Sequence, residues 1–235
     1  MVYLRGMCAR SAATRSPEAE EVDLAGHPGL AIRPAAARAL YVLAHGAGAG
    51  MRHEFMATIA AALAERDVAT LRWEFPYMAA GKPRPDRAEV AEAAVQEVWV
   101  AARARFADLA LFAGGKSFGG RMTSRAHAAR PLADLRGLIF LGFPLHPPGR
   151  PSDERARHLF EVHIPMLFLQ GTRDELAELQ HLRPVVEQLG TRATLKLFPE
   201  ADHSFHVPAR TGRKDADVRA ELLDALAGWI DKLIL

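Results

Sequence analysis

Short apolar runs alternate with longer stretches of helical periodicity along nearly the whole chain. The runs at residues 40–44, 68–74, 109–113, 138–141, 166–170 and 194–198 are mostly aliphatic, and each has a Gly or Pro within two residues of its end. That is how strands buried on both faces read. Two more polar segments, 22–24 and 30–33, fit an antiparallel pair at a sheet edge. Between the runs lie helical stretches. Residues 54–65 are rich in alanine and leucine, and 87–106 place Val90, Ala94, Val95 and Val98 on one stripe. Residues 120–129 follow a glycine-rich turn, and 218–235 repeat the pattern with Leu222, Leu223, Leu226, Trp229 and Ile230. Strand–helix alternation of this kind predicts a doubly wound, mostly parallel α/β sheet with helices on both faces.

Length and composition narrow the reading. The 235 residues suit one domain of this class, expected over 19–235 behind a flexible segment at 1–18. A chain this long buries enough surface to need neither disulfide nor metal for stability. The single cysteine, Cys8, has no internal partner, which fits a reducing, cytoplasmic setting. Residues 1–16 carry three arginines and no continuous apolar stretch, so a secretory leader is not expected, and Met7 is an alternative start. No apolar run approaches the roughly 20 residues that span a bilayer. A net charge of +2 is too mild to call for nucleic acid or a membrane as partner.

The most informative segment is Gly115-Lys116-Ser117-Phe118-Gly119, a G-x-S-x-G between a strand and a helix. A serine on a sharp strand-to-helix turn adopts strained backbone angles and needs small neighbours, which Gly114, Gly115, Gly119 and Gly120 supply. The helix that follows offers its positive end to a developing oxyanion. A phosphate-binding loop fits poorly, because the leading glycine of G-x-x-x-x-G-K-S would fall at Ala110, inside the strand. Residues 46–50 likewise lack G-x-G-x-x-G spacing for a dinucleotide. No cofactor is expected.

Five segments in order carry a family resemblance: His45-Gly46-Ala47-Gly48-Ala49-Gly50, the run from Gly114 to Arg121, Pro144-Leu145-His146-Pro147-Pro148-Gly149, Gly171-Thr172-Arg173-Asp174, and Asp202-His203-Ser204-Phe205. The chain resembles an α/β-hydrolase of the dienelactone-hydrolase-like group. It is nearest a subgroup of bacterial hydrolases that also includes the hydrolase-like domain of an animal histone acetyltransferase-complex subunit. The resemblance spans about residues 20–235. It implies Ser117 as nucleophile, Asp174 as acid and His203 as base, in the chain order of that fold. It also implies an oxyanion hole made by the amides of Phe118 and Ala47.

Each assignment has a plainer competitor. Asp174 also suits a turn or N-cap ahead of Glu175-Leu176-Ala177. Asp202, adjacent to His203, should project elsewhere, and His206 is the reserve base. His45 is expected to brace its loop. The proline-rich 143–165 region reads as a short, stiff lid over a fairly open site. Lys116, Arg121, Arg173, Arg210, Arg213 and Lys214 are expected near the site; scattered solvated charge accounts for them more readily than a preference for anionic acyl groups. The histidines show no zinc-ligand spacing, so no metal is assigned.

The expected activity is hydrolysis of a small ester, thioester, lactone or amide through an acyl-enzyme, with a small-molecule acyl substrate as partner. The alternatives are a non-catalytic protein-interaction module on the same fold, or an acyltransferase using the same triad.

Overall fold

The computed structural model describes residues 18–234, and at its centre runs a strand, β5 (Ala110–Lys116), that ends at the serine turn. Seven other strands flank it: β1 (Glu20–Leu24), β2 (His27–Ile32), β3 (Ala39–Ala44), β4 (Val68–Trp73), β6 (Leu135–Leu141), β7 (Met166–Gly171) and β8 (Ala193–Phe198). They form one sheet in the order β1-β2-β4-β3-β5-β6-β7-β8. β1 and β2 pair antiparallel with each other, and β2 pairs antiparallel with β4. All the remaining pairings are parallel. The reversal of winding beside β3 and β5 puts the carboxyl ends of the central strands where open α/β sheets place ligands.

Side chains alternate between two cores because successive strand residues face opposite ways. One face buries Leu40, Val42, Leu71, Leu111, Phe140 and Phe168 beneath α3 (Ala88–Arg105) and α4 (Phe118–Ala129). The other buries Tyr41, Leu43, Phe112, Ile139, Leu167 and Leu169 beneath α1 (Glu54–Ala64) and α6 (Asp215–Ile234). Truncating a buried phenylalanine of either layer to alanine would cost about 3–5 kcal/mol.

The six apolar runs and the edge hairpin all appear as strands, with differences in detail. β5 continues past residue 113 to Lys116, so Gly114 and Gly115 are strand residues. A Cβ at Gly114 would stand 1.9 Å from the carbonyl oxygen of Ile139, and one at Gly115 2.1 Å from that of Ala44. At these two positions β5 is thus pressed between β6 and β3 too closely for any side chain. Val90 is 44% exposed, and the buried stripe of α3 runs instead through Ala91, Ala94, Val95, Val98, Trp99 and Ala102. Ala91 takes the place of Val90 on the buried stripe.

Two helices have no counterpart in the periodicity. α2 (Pro76–Ala79) is a single turn, and α5 (Leu179–Leu189) carries Pro184 inside it. In the proline-rich segment, Glu154–Glu161 forms a 3₁₀ helix whose Ala156 and Leu159 are buried. Cys8, Met7 and most of the expected flexible segment lie outside the described residues. Among the described residues, no helix is long and apolar enough to cross a membrane.

Candidate active site

Ser117 stands at the junction of β5 and α4 with φ +50° and ψ −113°, a conformation that costs a non-glycine residue about 1–3 kcal/mol. Its surroundings impose the angle. The Ser117 amide donates to Leu141 O at 3.2 Å, and its carbonyl accepts from the Arg121 amide at 3.1 Å. Gly119 packs so closely on the end of β3 that a Cβ there would lie 2.5 Å from the carbonyl oxygens of Ala44 and His45. The turn is held from below, and the side chain projects at the carboxyl ends of the strands.

Asp174 follows β7 in the loop that begins after Gly171. Its carboxylate is fully buried and accepts three hydrogen bonds. The Leu176 amide donates to Oδ1 at 2.8 Å, Gln170 Nε2 donates to Oδ2, and His203 Nδ1 lies 2.7 Å from Oδ2. A carboxylate can only accept, so Nδ1 carries the proton and Nε2 is left as the basic nitrogen. Asp174 therefore does fill the turn role beside Leu176, and the same side chain orients the histidine.

His203 sits in the loop after β8, with its side chain 24% exposed. A Cβ at Gly142, the residue after β6, would stand 3.3 Å from both Nδ1 and Cε1 of its ring. Because β6 is hydrogen-bonded to β5, this puts the imidazole at the same end of the sheet as Ser117. Neither Ser117 Oγ nor His203 Nε2 has a partner among the described residues.

The other acidic and basic residues nearby separate cleanly. Asp202 turns away from the imidazole and accepts from the amides of Ser204 and His206 at 2.7 and 2.9 Å, fixing the shape of the loop. His206 pairs with Asp215 at 2.8 Å, with 62% of its side chain exposed, so it does not compete for Asp174.

The loop after β3 brings Ala47 toward the amino end of α4. His45, fully buried, bonds the Gly46 carbonyl through Nδ1 at 2.7 Å and accepts from the Phe75 amide through Nε2 at 3.1 Å. Burial holds its pKa below that of a free histidine, which suits a neutral brace. Tyr77 donates to Ala47 O at 2.9 Å. Burial, then Asp86 and Glu74, push its hydroxyl up to about 12, so it remains a donor. Glu74 accepts from the Met51 amide at 3.0 Å and closes the far end of the loop. Phe118 is pinned against Phe75 and Tyr77, with ring centroids 5.2 and 6.2 Å away. Among the described residues, the Ala47 and Phe118 amides have no acceptor. Gln170, Tyr77 and Glu74 escape the sequence reading, because each belongs to no motif and acts through the fold.

Beside His203 lies a cleft of about 350 Å³ lined by Arg173, Glu175, Leu176, Asp202, His206 and flanking prolines. Three of the bases expected near the site are engaged by other groups. Arg210 pairs with Glu200 at 2.6 Å, Arg213 pairs with Glu221 at 2.7 Å, and Lys116 turns beneath the His203 loop. Arg173 faces the cleft together with two carboxylates. A larger depression of about 820 Å³, at the other end of the sheet beside Leu109 and Asp134, holds neither a candidate nucleophile nor a base.

Residues 37–231, most of the chain, match the model of the alpha/beta hydrolase domain family. The protein is a member of the α/β-hydrolase family. Solved structures agree in fold. An α/β serine hydrolase without a lid from Xanthomonas campestris superposes with a TM-score of 0.70 at 24% identity, covering 90% of this chain and 95% of that one. A dienelactone hydrolase from Anabaena variabilis gives 0.69 at 21% identity, covering 93% and 97%. A cold-adapted esterase from an Arctic intertidal metagenomic library gives 0.61 at 20% identity, covering 89% and 92%. At these identities the α/β-hydrolase scaffold is what the likeness establishes.

Proposed function

We propose that this α/β-hydrolase is a serine hydrolase that cleaves a small ester, thioester, lactone or amide through an acyl-enzyme on Ser117. The observation that carries the proposal is the buried Asp174 carboxylate fixing the His203 ring at 2.7 Å, at the same end of the sheet as a serine on a strained turn. Ser117 combines φ +50° with ψ −113°, outside the ordinary left-handed region, and strain of that kind clusters at active sites.

In this reading Ser117 Oγ attacks the carbonyl carbon while His203 Nε2 takes its proton, which the serine alone would surrender too reluctantly at neutral pH. Asp174 keeps Nε2 unprotonated in the resting tautomer and stabilises the imidazolium as it forms. The amides of Ala47 and Phe118 receive the oxyanion. Their donors are already oriented by Tyr77, His45 and the aromatic cluster, so little reorganisation is needed during reaction. The tetrahedral species collapses as His203 returns its proton to the leaving group. A water then repeats the sequence and frees the acid and Ser117.

The cleft volume lies near the lower end of the roughly 300–1,000 Å³ typical of ligand sites, which favours small acyl groups. Its two carboxylates beside one arginine favour neutral acyl groups over anionic ones. The single cysteine of the chain suits a reducing compartment, and on that ground we place the activity in the cytoplasm.

The test is turnover of p-nitrophenyl acetate, butyrate and palmitate and of a carboxylate-bearing ester, alongside the Ser117→Ala variant. The proposal expects kcat/KM to fall with chain length, the neutral short ester to outpace the anionic one, and Ser117→Ala to be inactive. Absence of turnover on ester, thioester and lactone panels alike would overturn it.

A further inference from the structure

Lys116, immediately before the nucleophile, takes no part in the reaction proposed above, yet its side chain is directed into the site's framework. Its Nζ donates to the carbonyl oxygen of His203 at 2.6 Å. On the way its Cγ passes 3.6 Å from the point where a Cβ at Gly46 would stand. A Cβ at Gly142 would lie 3.0 Å from Nζ and 3.3 Å from the His203 ring. The Phe205 ring centroid is 5.8 Å from the ammonium. One side chain thus runs along the oxyanion loop, over the end of β6, and ends under the loop that carries the base.

We propose that Lys116 is a positioning residue that ties the His203 loop to the nucleophile turn, keeping the imidazole in register with both Asp174 and Ser117. This rests on the triad reading above. The loop is rigid within itself, because Asp202 accepts from the amides of Ser204 and His206 and Phe205 holds φ +63°. What it needs is an attachment to β5, and Lys116 supplies one at the backbone of the base itself. Gly46 and Gly142 leave the corridor that the lysine fills. A purely structural filler would be apolar, since burying an ammonium carries a desolvation cost that a methionine or leucine avoids.

The ionised groups facing Lys116 are Asp174 after β7 and Asp202 after β8, and the neighbouring titratable group is His203 itself. Burial pulls the lysine down to about 8, with the two carboxylates opposing. A neutral amine donates more weakly than an ammonium, so the tie loosens as pH rises through that value.

The experiment measures the second-order rate of fluorophosphonate labelling, and kcat and KM on a short ester, from pH 6 to 9.5. It compares wild type, Lys116→Met and Lys116→Arg, with melting temperatures taken in parallel. A displaced imidazole should lower kcat of Lys116→Met by roughly 10–100-fold, with KM nearly unchanged. Wild-type labelling should decline by a few-fold above about pH 8, and Lys116→Arg, charged throughout, should lack that decline. Folded Lys116→Met labelling as fast as wild type would overturn the inference, as would the same alkaline decline persisting in Lys116→Arg. Should Lys116→Met fail to fold, the wild-type and arginine profiles decide alone. A wild type that is never labelled overturns the triad reading and this inference together, whereas labelled wild type with an indifferent Lys116→Met overturns this inference only.

Discussion

Nδ1 of His203 donates to Oδ2 of Asp174 across 2.7 Å, joining the loops after β8 and β7 at a carboxylate that solvent does not reach. Two segments 29 residues apart are thereby committed to one geometry, and the imidazole can present only Nε2 to the cleft.

Asp174→Asn should keep the fold and lose the chemistry. The amide can still bond His203, but it can donate to Nδ1 and select the wrong tautomer, and it cannot stabilise an imidazolium. The expected fall in kcat is about 10³–10⁴-fold. Steady-state kinetics with a parallel melting curve measure both quantities. A variant within tenfold of wild type would remove Asp174 from the mechanism.

Gln170 should matter to stability and activity at once. Its side chain is fully buried, its Oε1 accepts from the Phe143 amide at 2.9 Å, and its Nε2 donates to Asp174. Gln170→Leu leaves the Phe143 amide unpaired in the interior, at a cost of about 1–3 kcal/mol. It also releases Asp174 on one side, so kcat should drop with KM little changed. Denaturant titration and ester kinetics check the two effects separately.

Acid sensitivity should trace in part to His158. This residue bonds Ser124 Oγ at 2.7 Å, and burial, reinforced by Arg125 and Arg121, pushes it down to about 3. The unfolded chain takes up a proton near the ordinary histidine value of 6.5 while the folded one does not. Stability is therefore full above pH 6.5 and falls as the solution is acidified toward 3. Between pH 7 and pH 5 the loss should be about 1–2 kcal/mol, and His158→Gln should flatten that part of the curve. Urea midpoints at the two pH values supply the measurement.

The sheet was legible in the chain because its strands are buried on both faces, so each reads as an apolar run with a breaker at its end. The edge hairpin was legible from its more polar alternation. Pro184 concealed α5, since a proline inside a helical pattern ordinarily marks its end. On α3 the periodicity identified the helix but favoured Val90, which is exposed, over Ala91, which is buried. At the site, Ser117, Asp174 and His203 stood out through local motifs. Gln170, Tyr77 and Glu74 could not, because their work depends on partners 4 to 30 residues away that only the folded chain brings within reach. The direction of Lys116 was likewise unreadable. A lysine beside a catalytic-looking serine reads as solvated charge until the fold turns it under the His203 loop.

The measurement that bears most directly on the central claim is the intact mass of the protein after incubation with a fluorophosphonate, with Ser117→Ala and His203→Ala treated identically. The account predicts one adduct on the wild type, carried by the peptide containing Ser117, none on Ser117→Ala, and greatly slowed labelling of His203→Ala. A folded wild type that acquires no adduct, or that acquires it at another residue, would contradict it.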